Sequence, residues 1–193
     1  MPTAVILSLF TFVVLLATAL LAALGPQTLS GKVAPRETYT YRGRDYPRSW
    51  EIGPLPPVEL VFESTVHYTI GNSRGALEWN STLPSGGAVV HLGPEQRPFT
   101  VSLFHQLRCL NIIRTSIEAV YADELYDEQM SHHCMNYLRQ MVLCRADTRL
   151  EPIRAIEGGG RTVSDVGHTC ADWTVVYEAA EQNYREYARL TSS

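Results

Sequence analysis

The hydrophobic pattern opens with an uncharged run, AVILSLFTFVVLLATALLAALG, from Ala4 to Gly25. That is about the length needed to cross a bilayer as a helix. A signal peptide carries a basic leader, a shorter apolar stretch and a cleavage site. This run follows only Met-Pro-Thr, so residues 1–25 read as an uncleaved single-pass transmembrane anchor. Residues 26–57, rich in Pro, Arg and Tyr and without a sustained period, read as an extended stalk or linker. From residue 58 the pattern becomes that of a folded domain, 58–193. VELVFESTVHYTI (Val58 to Ile70) is β-branched and partly alternating, GNSRG follows as a turn, and AVVHL (Ala88 to Leu92) is a second apolar piece. Together they predict a small antiparallel β unit.

The period then changes to that of helices. Leu103, Leu107, Leu110, Ile113 and Ile117 predict a helix over Val101 to Tyr121, capped by Thr100 or Ser102. A second helix is expected from Glu128 to Arg145, burying Met135, Leu138 and Val142 with Leu143 at their edge, and a third from Cys170 to Ala188. EGGGRTVSDVGHT between the last two is a Gly-rich loop. The fold class is therefore α+β: an N-terminal transmembrane helix, then a small antiparallel β unit packed with about three α-helices.

Composition narrows the function. A chain of 193 residues, 45% hydrophobic, is long enough to bury one core. Its formal charge of -4 offers no basic field for a phosphate backbone, so nucleic acid is not an expected partner, and small-molecule or peptide chemistry remains. Lys32, Arg36, Arg42, Arg44 and Arg48 all follow the apolar run, which by the positive-inside rule would keep the body cytosolic. Four cysteines and the glycosylation sequon at Asn80 point instead to an oxidising lumen.

The residues that carry chemistry recur at one spacing. His105, Arg108 and Cys109 stand at i, i+3 and i+4 and share a helix face; Met130, His133 and Cys134 repeat the arrangement. Tyr137 and Gln140 continue the second face, while His132 points about a quarter-turn away. Cys134 and Cys144 lie ten residues apart, about 15 Å along a helix, too far to bond. Two of the three cysteine connectivities remain. His67 and His91 fall on predicted strands and read as core or rim residues, Trp173, Tyr177 and Tyr184 as packing residues. Asp147 and Asp172 read first as helix-end groups and second as acceptors that orient a histidine.

FHQLRCLNIIR, HHCMNYLRQMVLCRADTRLEP and HTCADW, with the weaker VFESTVHYTI and ALEWN, resemble the UstYa-like family of fungal secondary-metabolite oxidases known from ustiloxin and cyclochlorotine biosynthesis. That family's signature is a pair of HxxHC motifs. His105 matches the first histidine of the first motif and His133 the second histidine of the second, with Cys109 and Cys134 closing them. Two positions depart: Arg108 and Met130 stand where the family has histidines. A guanidinium has no lone pair for a metal, whereas a thioether suits Cu(I).

The resemblance implies a type II membrane protein with its body in the secretory-pathway lumen. It further implies a copper-dependent oxidase that cyclises or oxidises C–H bonds of a small-molecule or peptide metabolite in a mycotoxin-type pathway. On that reading His105 and His133 are metal ligands, joined by His168 swinging in from its loop, and Arg108 holds a substrate carboxylate. Two motifs meeting at one site imply disulfides Cys109–Cys134 and Cys144–Cys170. A related family member, like or unlike, is the implied oligomeric partner. The other reading of the missing histidines is a non-catalytic, disulfide-stapled membrane subunit supporting a partner enzyme.

Overall fold

The computed structural model describes residues 12–18, 38–62, 65–151 and 167–192. The chain divides into two units, Met1–Thr38 and Tyr39–Ser193. In the first, residues 12–18 form an exposed helix, α1. The rest of the apolar run lies outside the described residues, among which no helix is long and apolar enough to cross a membrane.

The second unit is α+β. In chain order it contains β1 (Pro57–Val61), α2 (Ser73–Asn80), β2 (Val89–Leu92), β3 (Arg97–Thr100), α3 (Ser102–Tyr121), α4 (Glu128–Arg145), β4 (Gly167–Ala171) and α5 (Thr174–Thr191). The strands make two separate antiparallel pairs. In β1–β4, Pro57 lies opposite Ala171 and Leu60 opposite His168; in β2–β3, Val89 lies opposite Thr100 and Leu92 opposite Arg97. The core is where β2, α3 and α5 meet: Ala88, Val90, Phe104, Val176 and Ala180 are buried together. Tyr177 sets its ring edge-on to Phe104 at 5.0 Å and donates its hydroxyl to the Thr82 carbonyl at 2.6 Å. Asn183 clips α5 to β2 by accepting from the His91 amide (2.7 Å) and donating to the His91 carbonyl (2.8 Å).

Several expectations are corrected. The strand predicted over Val58 to Ile70 stops at Val61, and Tyr68 takes a positive φ of 55°, so β-branching there marks a loop. His67 consequently sits off any strand and meets Glu78 at 2.7 Å. The expected turn GNSRG instead starts α2, because Asn72 caps it by accepting from the Gly75 amide at 2.6 Å. The stalk reading fails from Tyr39 onward, since Trp50 and Ile52 cover the core and Pro57 begins β1. Neither Thr100 nor Ser102 caps α3, whose N-cap is Val101 without a side-chain bond. Cys170 lies on β4, and α5 begins at Thr174, where Asp172 accepts from the Thr174 amide at 2.9 Å.

Helix burial also departs from simple periodicity. On α3, Leu110 and Ile117 are exposed while Arg114 and Ser116 are buried. Arg114 is satisfied by Asn111, Glu118 and the Ile70 carbonyl, each at 2.8 Å, which is what a buried guanidinium requires. Ser116 shares a 2.6 Å hydroxyl contact with Ser131 across to α4. The α4 side expected to be buried is largely solvated: Met135 is 58% exposed and Val142 71%. Only Cys134 of α4 is buried, because this helix docks by a narrow seam of small residues rather than a broad apolar stripe.

Candidate metal centre

That seam builds the site. α4 starts where Asp127 accepts from the Met130 amide at 2.8 Å, and it ends with Ala146 in the left-handed conformation. Cys109 of α3 and Cys134 of α4 form a buried disulfide with their Cα atoms 4.9 Å apart. His105 lies one turn before Cys109, and His133 immediately before Cys134. The bond therefore fixes the height at which the two helices meet, and the imidazoles lie near each other with ring centroids 6.1 Å apart and planes 21° from parallel. Tyr137 stacks on His105 at 4.0 Å, and its hydroxyl lies 3.3 Å from Ser102 Oγ.

Burial, followed by the electrostatic influence of His133 and Arg108, holds His105 below the ordinary imidazole pKa. Its neutral form, with a free lone pair, is thereby favoured. His133 is exposed and lines an open hollow with Asp127, Gln129 and Met130. Arg108 and His132 are both exposed.

The remaining predicted residues lie elsewhere. His168 is buried on β4 rather than held in a loop; Arg149 Nη1 donates to its Nδ1, and Phe62 lies 4.2 Å away, centroid to centroid. His168 is thus engaged on β4, and neither contact brings it to the motif helices. Among the described residues no group of three or more His, Cys, Asp and Glu side chains is placed to hold a metal ion. The expected Cys144–Cys170 bond is absent and both thiols are free: Cys144 is exposed at the end of α4, whereas pairing with β1 sets Cys170 opposite Val58. Asn80 ends α2, exposed, with its side-chain oxygen accepting from Asn111 at 3.0 Å. Asp147 accepts from the Arg149 amide just beyond α4.

The sequence model described as "Mycotoxin biosynthesis protein UstYa" matches residues 78–183, from within α2 through the paired motifs into α5. The chain belongs to the UstYa family. This UstYa-family chain is similar to "Oxidase ustYa" of Aspergillus flavus, 35% identical over 118 residues, 60% of this chain and 55% of that protein. It is also 36% identical over 93 residues to "UstYa family oxidase phomYb" of Diaporthe leptostromiformis (47% of this chain, 37% of that one). A third relative is "Hydroxylase cctR" of Talaromyces islandicus, 29% identical over 90 residues (44% and 33%). The chain thus spans about half the length of these relatives or less. No solved structure matches it.

Sequence reasoning placed Tyr137 on the motif face but missed its stacking on His105 and the part Ser102 plays beside it. Both lie on the same side as the motif, three and four residues from its histidines, so the helical period was the signal available.

Proposed function

We propose that this chain is a membrane-anchored, copper-dependent oxidase of a mycotoxin-type pathway, with its body in the secretory lumen, acting on a small-molecule or peptide metabolite by oxidative cyclisation or C–H oxidation. The observation that supports it is the pair of imidazoles, one from each motif, brought to a centroid separation of 6.1 Å beside the Cys109–Cys134 bond. His105 and His133 would hold the metal, with the Met130 thioether, which lines the hollow at His133, as the third donor. Two imidazoles and a thioether form a soft set suited to copper and unsuited to magnesium or calcium. When bound, copper supplies one-electron chemistry with dioxygen. The protein's own residues do the rest: burial favours the unprotonated form of His105, Tyr137 fixes the orientation of its ring, and the exposed Arg108 offers a substrate carboxylate a two-pronged anchor.

The decisive experiment is copper content by elemental analysis after reconstitution. His105→Ala and His133→Ala should each remove the metal and the oxidase activity while peptide mapping finds the disulfide intact. His132→Ala should retain both, and Arg108→His should raise metal affinity or stoichiometry. Unchanged metal in the first two variants refutes the assignment. Arg108 and Met130 at two motif histidine positions favour a second reading, a non-catalytic subunit that supports a partner enzyme; wild-type protein that binds no copper would establish it over the first.

A further inference from the structure

A second feature lies next to the histidine pair and is unrelated to the HxxHC pattern. The segment from Tyr41 to Leu55 folds over β2, β3 and the start of α3 and lines a half-open cavity of about 400 Å³, within the range of small-molecule sites. Its walls are aromatic and aliphatic, including Tyr41, Tyr46, Trp50, Ile52 and Phe99. Among the described residues that line it, Arg48 carries the only charge, and it has no acidic partner among them.

The cavity is braced from outside. Arg97 lays its guanidinium over the Tyr46 ring (5.2 Å) and the Phe99 ring (5.0 Å) and donates to the Tyr41 and Gly43 carbonyls at 3.1 and 2.7 Å. Tyr41 lies so close to Gly93, φ +76°, that a Cβ there would sit 2.6 Å from the tyrosine side chain. The wall and the histidines share a link. Ser102 lines the cavity, its hydroxyl meets Tyr137, and Tyr137 stacks on His105.

We propose that this cavity binds the aromatic part of an anionic substrate, an aryl group with a carboxylate nearby, and so sets the remainder of that molecule at His105. The class follows from the walls: ring stacking on tyrosine and tryptophan favours an aromatic group, and a lone arginine with no carboxylate in the lining favours an anion over a cation. The inference rests on the oxidase reading for what happens to the bound molecule, but not for binding itself.

The test is a saturation-transfer NMR titration of the full chain in detergent, without added copper, using N-acetyl-L-phenylalanine and its neutral amide as probes. Saturable binding is expected, with the carboxylate preferred by about tenfold, the scale of one charge-assisted contact. Arg48→Glu should abolish or reverse that preference. Leu55→Trp, a change at a 40% exposed position in the lining, should weaken both probes by about tenfold with an unaltered circular-dichroism spectrum. Non-saturable binding, or binding indifferent to both substitutions, overturns the proposal. So does a cavity covered by a second copy, seen as a dimer by sedimentation that Leu55→Arg dissociates. Binding in a chain shown to take no copper would leave the cavity assigned and remove the oxidase reading, whereas copper binding without probe binding would do the reverse.

Discussion

Removing the Cys109–Cys134 bond is the perturbation that reaches both the fold and the site. The bridge closes a sequence separation of 25 residues. On the chain-entropy account, that loop restricts the unfolded state by about 3.5 kcal/mol. Both sulfurs are almost fully buried, so Cys109→Ala/Cys134→Ala also leaves unfilled volume that adds to the loss. Domains of this size are stable by only about 5 to 15 kcal/mol, so the double variant should be severely weakened. The assay is urea unfolding of wild type and variant under oxidising conditions, with Cys144→Ser as control; an exposed free thiol should change stability by less than about 0.5 kcal/mol. A loss below about 1 kcal/mol in the double variant would refute the reasoning, as would non-reducing peptide maps that link Cys109 to Cys144.

Three other outcomes are expected. Hydrogen bonds from His67, then the Tyr68 amide, hold the Glu78 carboxyl at a pKa of about 2, so its contribution to stability is present above the ordinary glutamate value and is lost as pH falls through about 2. Carbon-13 titration of that carboxyl should show the low midpoint, and a midpoint near 4.5 would contradict it. Arg97→Ala, which removes two carbonyl contacts and two ring contacts, should cost about 1 to 3 kcal/mol and raise amide exchange in the Tyr41–Tyr46 loop. Gly75→Ala places a Cβ 2.5 Å from the Thr69 carbonyl oxygen and should cost more than about 2 kcal/mol despite alanine's better helix propensity, measurable as a lowered melting temperature.

The helices were the most legible part of the sequence, because a 3.6-residue period survives wherever a helix has an apolar side. α4 was bounded correctly at Glu128 and Arg145, and α3 to within one residue. Which side of α4 is buried was not legible, since its seam is made by Ser131 and Cys134 rather than by Met135 or Val142. The β content was the weakest reading. β3 is four residues containing Pro98, and β4 follows a glycine-rich stretch, so neither displays the alternation that marks a strand. His168 was misplaced for that reason. The segment read as a stalk is rich in proline and arginine, and its tyrosines and tryptophan, which cover the core and form the cavity, carry no period to identify them.

The disulfide and the histidine pair make a single device, which explains why a spacing as short as HxxHC carries structural information. A cysteine four residues after a histidine places both on one face, one turn apart, so a bridge between two such helices sets their relative height and azimuth. In this chain the second copy contributes its histidine from the position adjacent to Cys134, and the imidazoles still meet at 6.1 Å. That meeting depends on retaining one histidine from each motif, His105 at the first position and His133 at the second. On the proposed oxidase reading the replaced positions, Arg108 and Met130, take different roles: a guanidinium that cannot ligate but can anchor a carboxylate, and a thioether that lines the hollow at His133. A chain that had lost both histidines from one helix would keep the staple and have no facing pair. On the proposed oxidase reading, retention of one on each helix is the feature that would separate a reduced metal site from a purely structural bridge.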